Sequence, residues 1–559
     1  MQNTKIILFF LCAFVLQQTA KAQEDLPSEE VEVIKDFDAR LIETEKIEIT
    51  PTLPKATNTD KTQVYTIPSR SLQVEYLPPK IRPLAMKRDK LPTQYDGFLK
   101  AGYGVPASPY VEASYHTFQE NLKLGGRFKH HSANFQNVEN QRFATNEAEV
   151  KGAYYRDEGF AFGGNLGYTS DQVHYFGYNQ NIDTDSLSVN REQVKQTFNT
   201  FKLGGTFFNG ERTQGDINYN AGFNFYNTKD NFATSEVGFD AQFGVTKWIA
   251  DRHALNVGLK TDITTFKNGD RGNADSLKQK LNNFYLTPNF TYHADAFKIK
   301  VGANLVAVDG AFNFFPDIEA SANIVGNKFT VFAGAEGSLK KNTMRSITYY
   351  NPFVKTFGSL EIRNTDYNHF YGGIRGAFGN FNYKGQVGYK NVKNLALFLT
   401  DWEDFITTDF GQVSLNRTEV LYDDGNVFNI QGSLTAPLFS GFELGGTVSV
   451  NAYDMDVQEK AWHLPATEFN VNAKYKMLED RLLLNGELFV ANGVPYLTAD
   501  GMTDNLNALL DVSAGAEYIL TDNFSAFVNI NNLLDNNRER WASYETYGLN
   551  VLFGIQGRF

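Results

Sequence analysis

The chain has 559 residues and a formal net charge of −12 at pH 7, which argues against nucleic acid as a partner. Its only cysteine is Cys12, in a segment that we expect to be removed, so disulfides, cysteine metal sites and thiol catalysis are excluded in the mature chain. Aromatic residues make up 14% of the chain although its mean hydropathy is −0.37. This combination fits a membrane β-barrel, in which polar residues that face the lumen dilute the apolar residues that face lipid.

Residues 1–22 have the features of a secretory signal peptide. Lys5 supplies a positive start, residues 6–16 form an apolar run too short for a stable membrane anchor, and residues 20–22 match an A-x-A cleavage site. The residues just before Cys12 are not the small residues of a lipoprotein processing box. We therefore interpret that cysteine as a passive member of the apolar run.

Residues 23–96 differ in composition from the rest of the chain. Half of the 16 prolines lie in this segment, which is acidic at its start and basic at its end. It is too short and too rich in proline to build a well-packed domain alone. We therefore expect an extended N-terminal arm in the periplasm.

From residue 97 to residue 559, apolar and polar residues alternate in segments about ten residues long. Clear examples are 122–129, 217–225, 297–305 and 442–452. Successive side chains of a strand point to opposite faces, and about ten residues allow a tilted strand to cross a bilayer. The alternative, a series of soluble sandwich domains, would require linkers, and we find none after residue 95. The sequence therefore predicts an all-β fold, a transmembrane antiparallel β-barrel over residues 97–559.

Short and long connections alternate along the predicted barrel. There are ten short turns, the first at 119–121 and the last at 521–523. There are nine longer polar connections, the first at 131–144 and the last at 535–546. Outer-membrane barrels have short periplasmic turns and longer external loops. The pattern predicts about 22 strands, with both ends of the barrel on the periplasmic side.

The chain ends on the most regular of these alternating segments. A soluble protein rarely leaves such a strand at an open sheet edge, whereas a membrane barrel pairs its last strand with its first. We expect the segment to close the barrel by pairing near residues 97–104. One face of this predicted strand is apolar or small, and consists of Tyr547, Leu549, Val551, Phe553, Ile555, Gly557 and Phe559.

The predicted barrel resembles that of TonB-dependent outer-membrane receptors. The strand number matches, and residues 532–535, 540–541 and 547–548 together with Phe559 are similar to the last hairpin of that family. The resemblance covers about residues 97–559 and implies a location in the outer membrane and uptake of a substrate. It also implies as partners the outer-membrane lipid, the barrel assembly machinery and either a TonB-type energy-coupling protein or a surface lipoprotein.

The arm contains a short segment similar to a TonB box, the stretch that pairs with the energy-coupling protein. It consists of Glu30, Val31, Glu32 and Val33. An ordinary extended acidic segment is the plainer interpretation. The arm also departs from the family, because it has about half the length of the plug domain that those receptors carry inside the barrel. Since a lumen this wide must be filled or else conduct water, we expect the arm, inward-folded loops or a partner chain to fill it.

No motif indicates an enzyme, a cofactor or a resident metal. The sequence has no phosphate-binding glycine loop, no G-x-S-x-G and no H-E-x-x-H. His130 and His131 are adjacent on a predicted strand and so point to opposite faces. Asp183, Asp185, Asp270 and Asp275 lie in loops without the spacing of a calcium loop.

Three functions fit these observations. The first is an uptake receptor, which the family resemblance favours. The second is a non-transporting accessory or structural barrel in an assembly or secretion complex, which the short arm favours. The third is a passive pore, and the need to close a wide lumen argues against it.

Overall fold

The structure is a computed structural model that describes residues 95–135, 138–180, 189–269, 278–408 and 411–559. The predicted signal peptide, the TonB-box-like segment and all but the last two residues of the predicted arm lie outside these ranges. So do Asp183, Asp185, Asp270 and Asp275. Among the described residues, no helix is both long enough and apolar enough to cross a membrane.

Twenty-two antiparallel strands form one closed sheet, which confirms the predicted fold class and strand number. The wall closes where β1 pairs with β28, with Phe98 opposite Arg558 and Val105 opposite Val551. Six further short strands form three hairpins, β16–β17, β22–β23 and β26–β27, outside the wall. The strands are β1 (Gly97–Val105), β2 (Ser108–Gln119), β3 (Leu122–Asn134), β4 (Arg142–Tyr155), β5 (Phe160–His174), β6 (Lys195–Asn209), β7 (Ile217–Asp230), β8 (Ser235–Ile249), β9 (His253–Lys267), β10 (Lys278–His293), β11 (Phe297–Val308), β12 (Ala311–Val325), β13 (Phe329–Asn342), β14 (Arg363–Phe378), β15 (Phe381–Thr400), β16 (Phe405–Thr408), β17 (Gly411–Ser414), β18 (Thr418–Phe439), β19 (Phe442–Met455), β20 (Thr467–Met477), β21 (Leu482–Asn492), β22 (Pro495–Leu497), β23 (Thr503–Asn505), β24 (Leu509–Thr521), β25 (Phe524–Asn531), β26 (Glu539–Trp541), β27 (Tyr544–Glu545) and β28 (Asn550–Arg558).

The alternating residues of each strand form the two faces of the wall. On β5, the exposed side chains of Phe162, Leu166 and Tyr168 lie on one face. Asp171 and Val173, at the intervening positions, line a cavity inside the ring. The apolar face is therefore the outer one, as a wall surrounded by lipid requires.

The two ends of the barrel differ in their connections. At one end, which we call the short-turn end, every hairpin has a short connection, such as 250–252 between β8 and β9. At the other end, the loop end, most connections are long, but 106–107 and 309–310 are tight turns that the sequence analysis did not identify. The second contains Asp309 and Gly310, both with positive φ. This Asp-Gly pair is a hairpin signal that could have located the turn.

Near both tight turns, side chains from the two sides of the hairpin contact each other on the lumen side. Between the ends of β10 and β14, Asn283 and Asn364 exchange amide hydrogen bonds of 3.1 and 2.8 Å. The ring of Phe135, after β3, stacks on Tyr547, before β28, with centroids 4.5 Å apart. Side chains thus connect the chain segments on the two sides of each short hairpin.

Candidate functional site

The loops of the loop end meet across the mouth of the barrel. The connection after β5 and the connection after β15 are separated by the ten strands β6–β15, nearly half of the ring of 22. Even so, the Asn416 side chain donates to the carbonyl of Gly177 over 3.2 Å and to Ser543 Oγ over 3.0 Å. Contacts between loops on opposite sides of a ring require that they fold inward to its middle. We call the described parts of five connections, 175–194, 343–362, 401–417, 456–466 and 532–549, the loop layer.

A buried ion pair lies in the loop layer. Arg417 is fully buried, and its Nη2 donates to Asp404 Oδ1 over 2.7 Å while its Nε donates to the other carboxylate oxygen. Burial acts to raise the pKa of the Asp404 carboxyl, but the hydrogen bonds from Arg417 outweigh it and lower the pKa. Lys355 Nζ adds a contact of 3.4 Å to the same carboxylate. A charge pair removed from water is tolerated only where hydrogen bonds offset the lost solvation, and Nη1 of Arg417 is the one guanidinium nitrogen left without a partner among the described residues.

Aromatic rings surround this pair. The guanidinium of Arg417 lies 5.0 Å from the ring centroid of Tyr175 and 4.7 Å from that of Phe357. Phe353 stacks on Tyr544 with centroids 3.9 Å apart, and the Tyr544 hydroxyl donates to the carbonyl of Leu415 over 2.8 Å. Tyr175, Phe353 and Tyr544 belong to one buried apolar cluster, so the layer has a core of its own.

A short helix, α1 (Met344–Tyr350), holds the layer against the wall. Thr343 caps it, and Thr343 and Ser346 form a capping box. The carboxylate of Glu236, fully buried on β8, accepts the backbone N–H of Met344 over 2.6 Å. A carboxylate is favourable beside the unpaired N–H groups that begin a helix. One lumen-facing side chain of the wall thus fixes the position of a loop 108 residues later in the chain.

His463 joins three segments of the loop end. Its Nδ1 lies 2.6 Å from the carbonyl oxygen of Phe398, and its Nε2 lies 3.2 Å from the backbone N–H of Ala542. A carbonyl can only accept and an N–H can only donate, so Nδ1 carries the proton and Nε2 accepts. Burial lowers the pKa of His463 to about 4. The site is therefore built for the neutral imidazole.

A cavity of about 980 Å³ lies between the lumen face of β4–β8 and helix α1. Its lining carries both signs of charge, from the acidic residues Glu147, Asp171 and Asp240 and from basic residues that include Lys202 and Arg345. A second cavity of about 490 Å³ is lined by Tyr350, Phe353 and Tyr547. Both volumes are in the range of small-molecule sites, and charged side chains are among those that line the larger cavity.

The predicted closing strand lies at the seam of the wall. Val551, Phe553 and Ile555 belong to β28 and are paired with β1. The strand begins at Asn550, so Tyr547 and Leu549 precede it, and Phe559 follows its last residue. Tyr547 packs on Phe135 and Phe143 instead, because the chain there already belongs to the loop layer.

The two adjacent histidines lie in different surroundings. His130 Nδ1 is 2.7 Å from Asn146 Oδ1, while His131 lies 3.3 Å from Ser108 Oγ and packs on Tyr110 and Phe143. Within the described residues, no group of three histidine, cysteine or acidic side chains is arranged to hold a metal ion.

Three tryptophans of the loop end take part in packing. Trp462 and Trp541 are each 3% exposed, and Trp402 Nε1 donates to the carbonyl of Leu497 over 3.0 Å. Trp248 lies at the short-turn end, where its indole donates to Asn218 over 2.8 Å. Nothing in the sequence marks Arg417, Asp404 or His463 as parts of a site, since single residues in aperiodic loops carry no pattern.

No protein-family model matches the sequence, and no curated protein matches it. Solved structures do match the fold. The ferripyoverdine receptor of the outer membrane of Pseudomonas aeruginosa superposes with a TM-score of 0.59 at 12% identity, over 84% of this chain and 72% of that one. The ferric-catecholate import receptor Fiu of Escherichia coli K12 gives 0.60 at 9% identity, over 84% and 82%.

A third match, the siderophore receptor PirA from Pseudomonas aeruginosa, gives a TM-score of 0.57 at 14% identity, over 84% of this chain and 81% of that one. This chain has the barrel fold of these siderophore receptors. The likeness confirms the resemblance of the wall to TonB-dependent receptors, and these neighbours are receptors rather than enzymes.

Proposed function

We propose that the protein is an outer-membrane receptor that takes up a ligand through its lumen, with the loop layer as the gate on the outer side. The contacts between Gly177, Asn416 and Ser543 carry this proposal, because they join loops from opposite sides of the mouth. A barrel of 22 strands without such a layer would leave a wide aqueous path. The fold likeness to siderophore import receptors supports uptake over the other functions.

Ferric chelates are the first ligand class to test, because the neighbours are named as siderophore receptors. The cavity of about 980 Å³ beneath α1 could hold part of such a ligand once the layer opens. Energy for opening would come from a TonB-type partner that binds the N-terminal arm. The surface lipoprotein and the assembly machinery stay expectations from the family resemblance.

An engineered disulfide that can be reduced again tests whether the loop layer must open for uptake. Asn416 and Ser543 are in side-chain contact, and Cys12 is the only native cysteine, so Asn416→Cys with Ser543→Cys gives one engineered pair. In iron-limited cells that lack the wild-type gene, the oxidised pair should abolish uptake of radioactive iron from ferric chelates. Reduction should restore it, and each single cysteine variant serves as a control.

Two outcomes would contradict the proposal. Unchanged iron uptake in the deletion strain across the chelates tested would exclude the ferric-chelate class. Full uptake by the oxidised double variant would show that the layer does not open for transport. A deletion strain with normal uptake but defective surface assembly would favour the alternative, a non-transporting structural barrel.

A further inference from the structure

The outer face of the wall from β4 to β10 has an unusual charge distribution. Its outward positions are identified by exposed apolar side chains such as Tyr168, Phe201 and Phe284. At the outward positions of these seven described strands there is no aspartate and no glutamate. The acidic residues of the same strands, such as Asp171 and Asp240, face the lumen.

Basic side chains occupy the loop-end positions of this outer face. Their places follow from strand pairing, which keeps directly opposed residues on one face. Two other basic residues at outward positions, Lys247 and His253, lie at the short-turn end. We call the loop-end set the basic rim, and it consists of Arg142, His174, Lys195, Lys229, Lys267, Lys278 and Lys280.

Several members of the basic rim are directly opposed. His174 is paired with Lys195 and Lys267 with Lys278. Continuing the β4–β5 register by one residue places Arg142 opposite His174. Like charges opposite one another in a sheet are destabilising. Of these pairs, only Lys267 with Lys278 opposes two full charges at pH 7, because histidine is largely neutral there, and their repulsion favours an anion between them.

Within the described residues, the basic rim has few acidic partners. Lys195 contacts Glu192 at 3.3 Å. His174 is fully buried, yet neither ring nitrogen has a hydrogen-bond partner, and Nε of Arg142 is buried without one. Lys229, Lys267, Lys278 and Lys280 are exposed. Among the residues that the structure describes, none of these four lysines has an acidic partner, and their exposure lets an external anion reach them.

The height of the rim matches a lipid head-group layer. On β9, Lys267 follows Ile263 by four residues with Thr265 between them, and on β6, Lys195 precedes Phe201 by six. With a rise of about 3.3 Å per residue and a tilt of about 40°, the charges lie roughly 10–15 Å beyond the apolar band. The order of apolar, neutral polar and basic side chains follows the layers of a bilayer leaflet.

The opposite part of the wall differs. At the loop end of β18 and β19, the outward positions carry Asp424 and Asp454, on the same face as the exposed Phe428 and Val450. The basic rim thus lies in one sector, whereas the exposed Lys393, at an outward position of β15, is opposed by Asp366. A general preference for lysine at the membrane surface would not produce this asymmetry.

We propose that the basic rim binds the anionic head groups of lipids in the leaflet at the loop end, and so holds a patch of acidic lipid against β4–β10. The phosphate groups of several adjacent lipids would lie between the opposed cations and relieve their repulsion. The rim faces the membrane plane rather than the lumen, which favours lipid over a soluble anion. This inference does not depend on the proposed uptake of a ligand through the lumen.

The test uses the purified full-length protein in mixed micelles of phosphatidylglycerol and phosphatidylcholine, with bound lipid measured by native mass spectrometry. Lys267→Gln with Lys278→Gln should lower the enrichment of phosphatidylglycerol by about five-fold for each lysine removed. The matched control is Lys328→Gln with Lys460→Gln, two exposed lysines outside the basic rim that give the same change in net charge. The control should keep the wild-type enrichment.

Equal enrichment in the rim variant and the control would overturn the proposal. Inorganic phosphate at millimolar concentration should leave lipid binding unchanged; if it displaces phosphatidylglycerol, the rim is a site for soluble anions instead. Should the rim variant fail to fold, the wild-type protein still decides the question. Its preference for phosphatidylglycerol must then fall as salt is raised, since salt screens exposed charges, and a salt-independent preference would contradict the inference.

Discussion

The barrel wall and the loop layer are stabilised in different ways. Each wall strand pairs along most of its length with two neighbours, for example β5 with β4 and β6, so no single side chain decides the structure. The layer instead depends on a few contacts between distant residues, such as Arg417 with Asp404 and His463 with Ala542. The wall should therefore tolerate most substitutions, whereas one substitution should open the layer while the wall remains folded.

The largest effect is expected from removing the end of the wall. Deleting Gly557–Phe559 removes the pairing of Leu99 with Gly557 and the hydrogen bond from the Gly97 N–H to the Phe559 carbonyl. Each orphaned backbone group in lipid costs several kcal/mol. We expect the amount of protein in the outer membrane to fall sharply, as measured by immunoblot of membrane fractions. Phe559→Leu keeps the backbone bonds and should assemble well, and wild-type levels of the deletion variant would contradict closure by this strand.

The next effect concerns the buried ion pair. Arg417→Met leaves Asp404 buried with only Lys355 nearby, and breaking a buried pair costs about 3–5 kcal/mol. We expect protease to cut the loops of intact cells while the barrel keeps its heat-resistant mobility on gels. The control is Arg363→Met, which breaks an exposed pair with Glu361 worth at most about 1 kcal/mol. Equal protection of both variants would contradict the central role of Arg417.

A smaller effect should follow from acid. The pKa of His463 is lowered to about 4, below its unfolded value of about 6.5, so the open state binds the proton more tightly. The contribution of His463 is fully present above about pH 6.5 and is lost as pH falls towards 4, by about 3 kcal/mol in total. Fluorescence of Trp462 and Trp541 should report this loosening.

His463→Gln provides the control for the acid effect. Its amide can donate to the Phe398 carbonyl and accept from the Ala542 N–H without titrating. The fluorescence change between pH 6.5 and 4 should shrink in this variant. The same acid response in wild type and His463→Gln would assign the effect to other groups.

The smallest effect is expected for Tyr544→Phe. The change removes the hydrogen bond to the Leu415 carbonyl and keeps the stack on Phe353. A buried carbonyl that loses its partner costs roughly 1–3 kcal/mol. Loop proteolysis should speed up less than in Arg417→Met, and an equal or larger increase would contradict the ranking of the two contacts.

The wall could be predicted from the sequence because the same alternation of apolar and polar residues recurs in every strand. Every strand carries the two-residue period, so errors of a few residues, such as the start of β28 at Asn550 rather than Tyr547, did not change the fold. The tight turn at Asp309 and Gly310 was missed although its dipeptide is a hairpin signal. The number of strands was predicted correctly all the same.

The loop layer could not be predicted, because its contacts join residues far apart in aperiodic segments. Nothing local marks Glu236 as the partner of the Met344 N–H or Asn416 as a neighbour of Gly177. Only the start of α1 has a local signal in the sequence, namely the threonine at 343 and the serine at 346 that form its capping box. The sequence left open what fills the lumen, and three-dimensional contacts were needed to show that loops cross the mouth.

Labelling of a lumen cysteine from outside the cell tests the central claim, that the loop layer closes the mouth. Gln242 is solvent-exposed and lines the lumen towards the short-turn end, so Gln242→Cys should react slowly with a membrane-impermeant maleimide in intact cells. Adding Arg417→Met should raise the rate towards that of Lys460→Cys, an exposed loop position. Labelling of Gln242→Cys as fast as Lys460→Cys in the otherwise unchanged protein would show that the mouth is open.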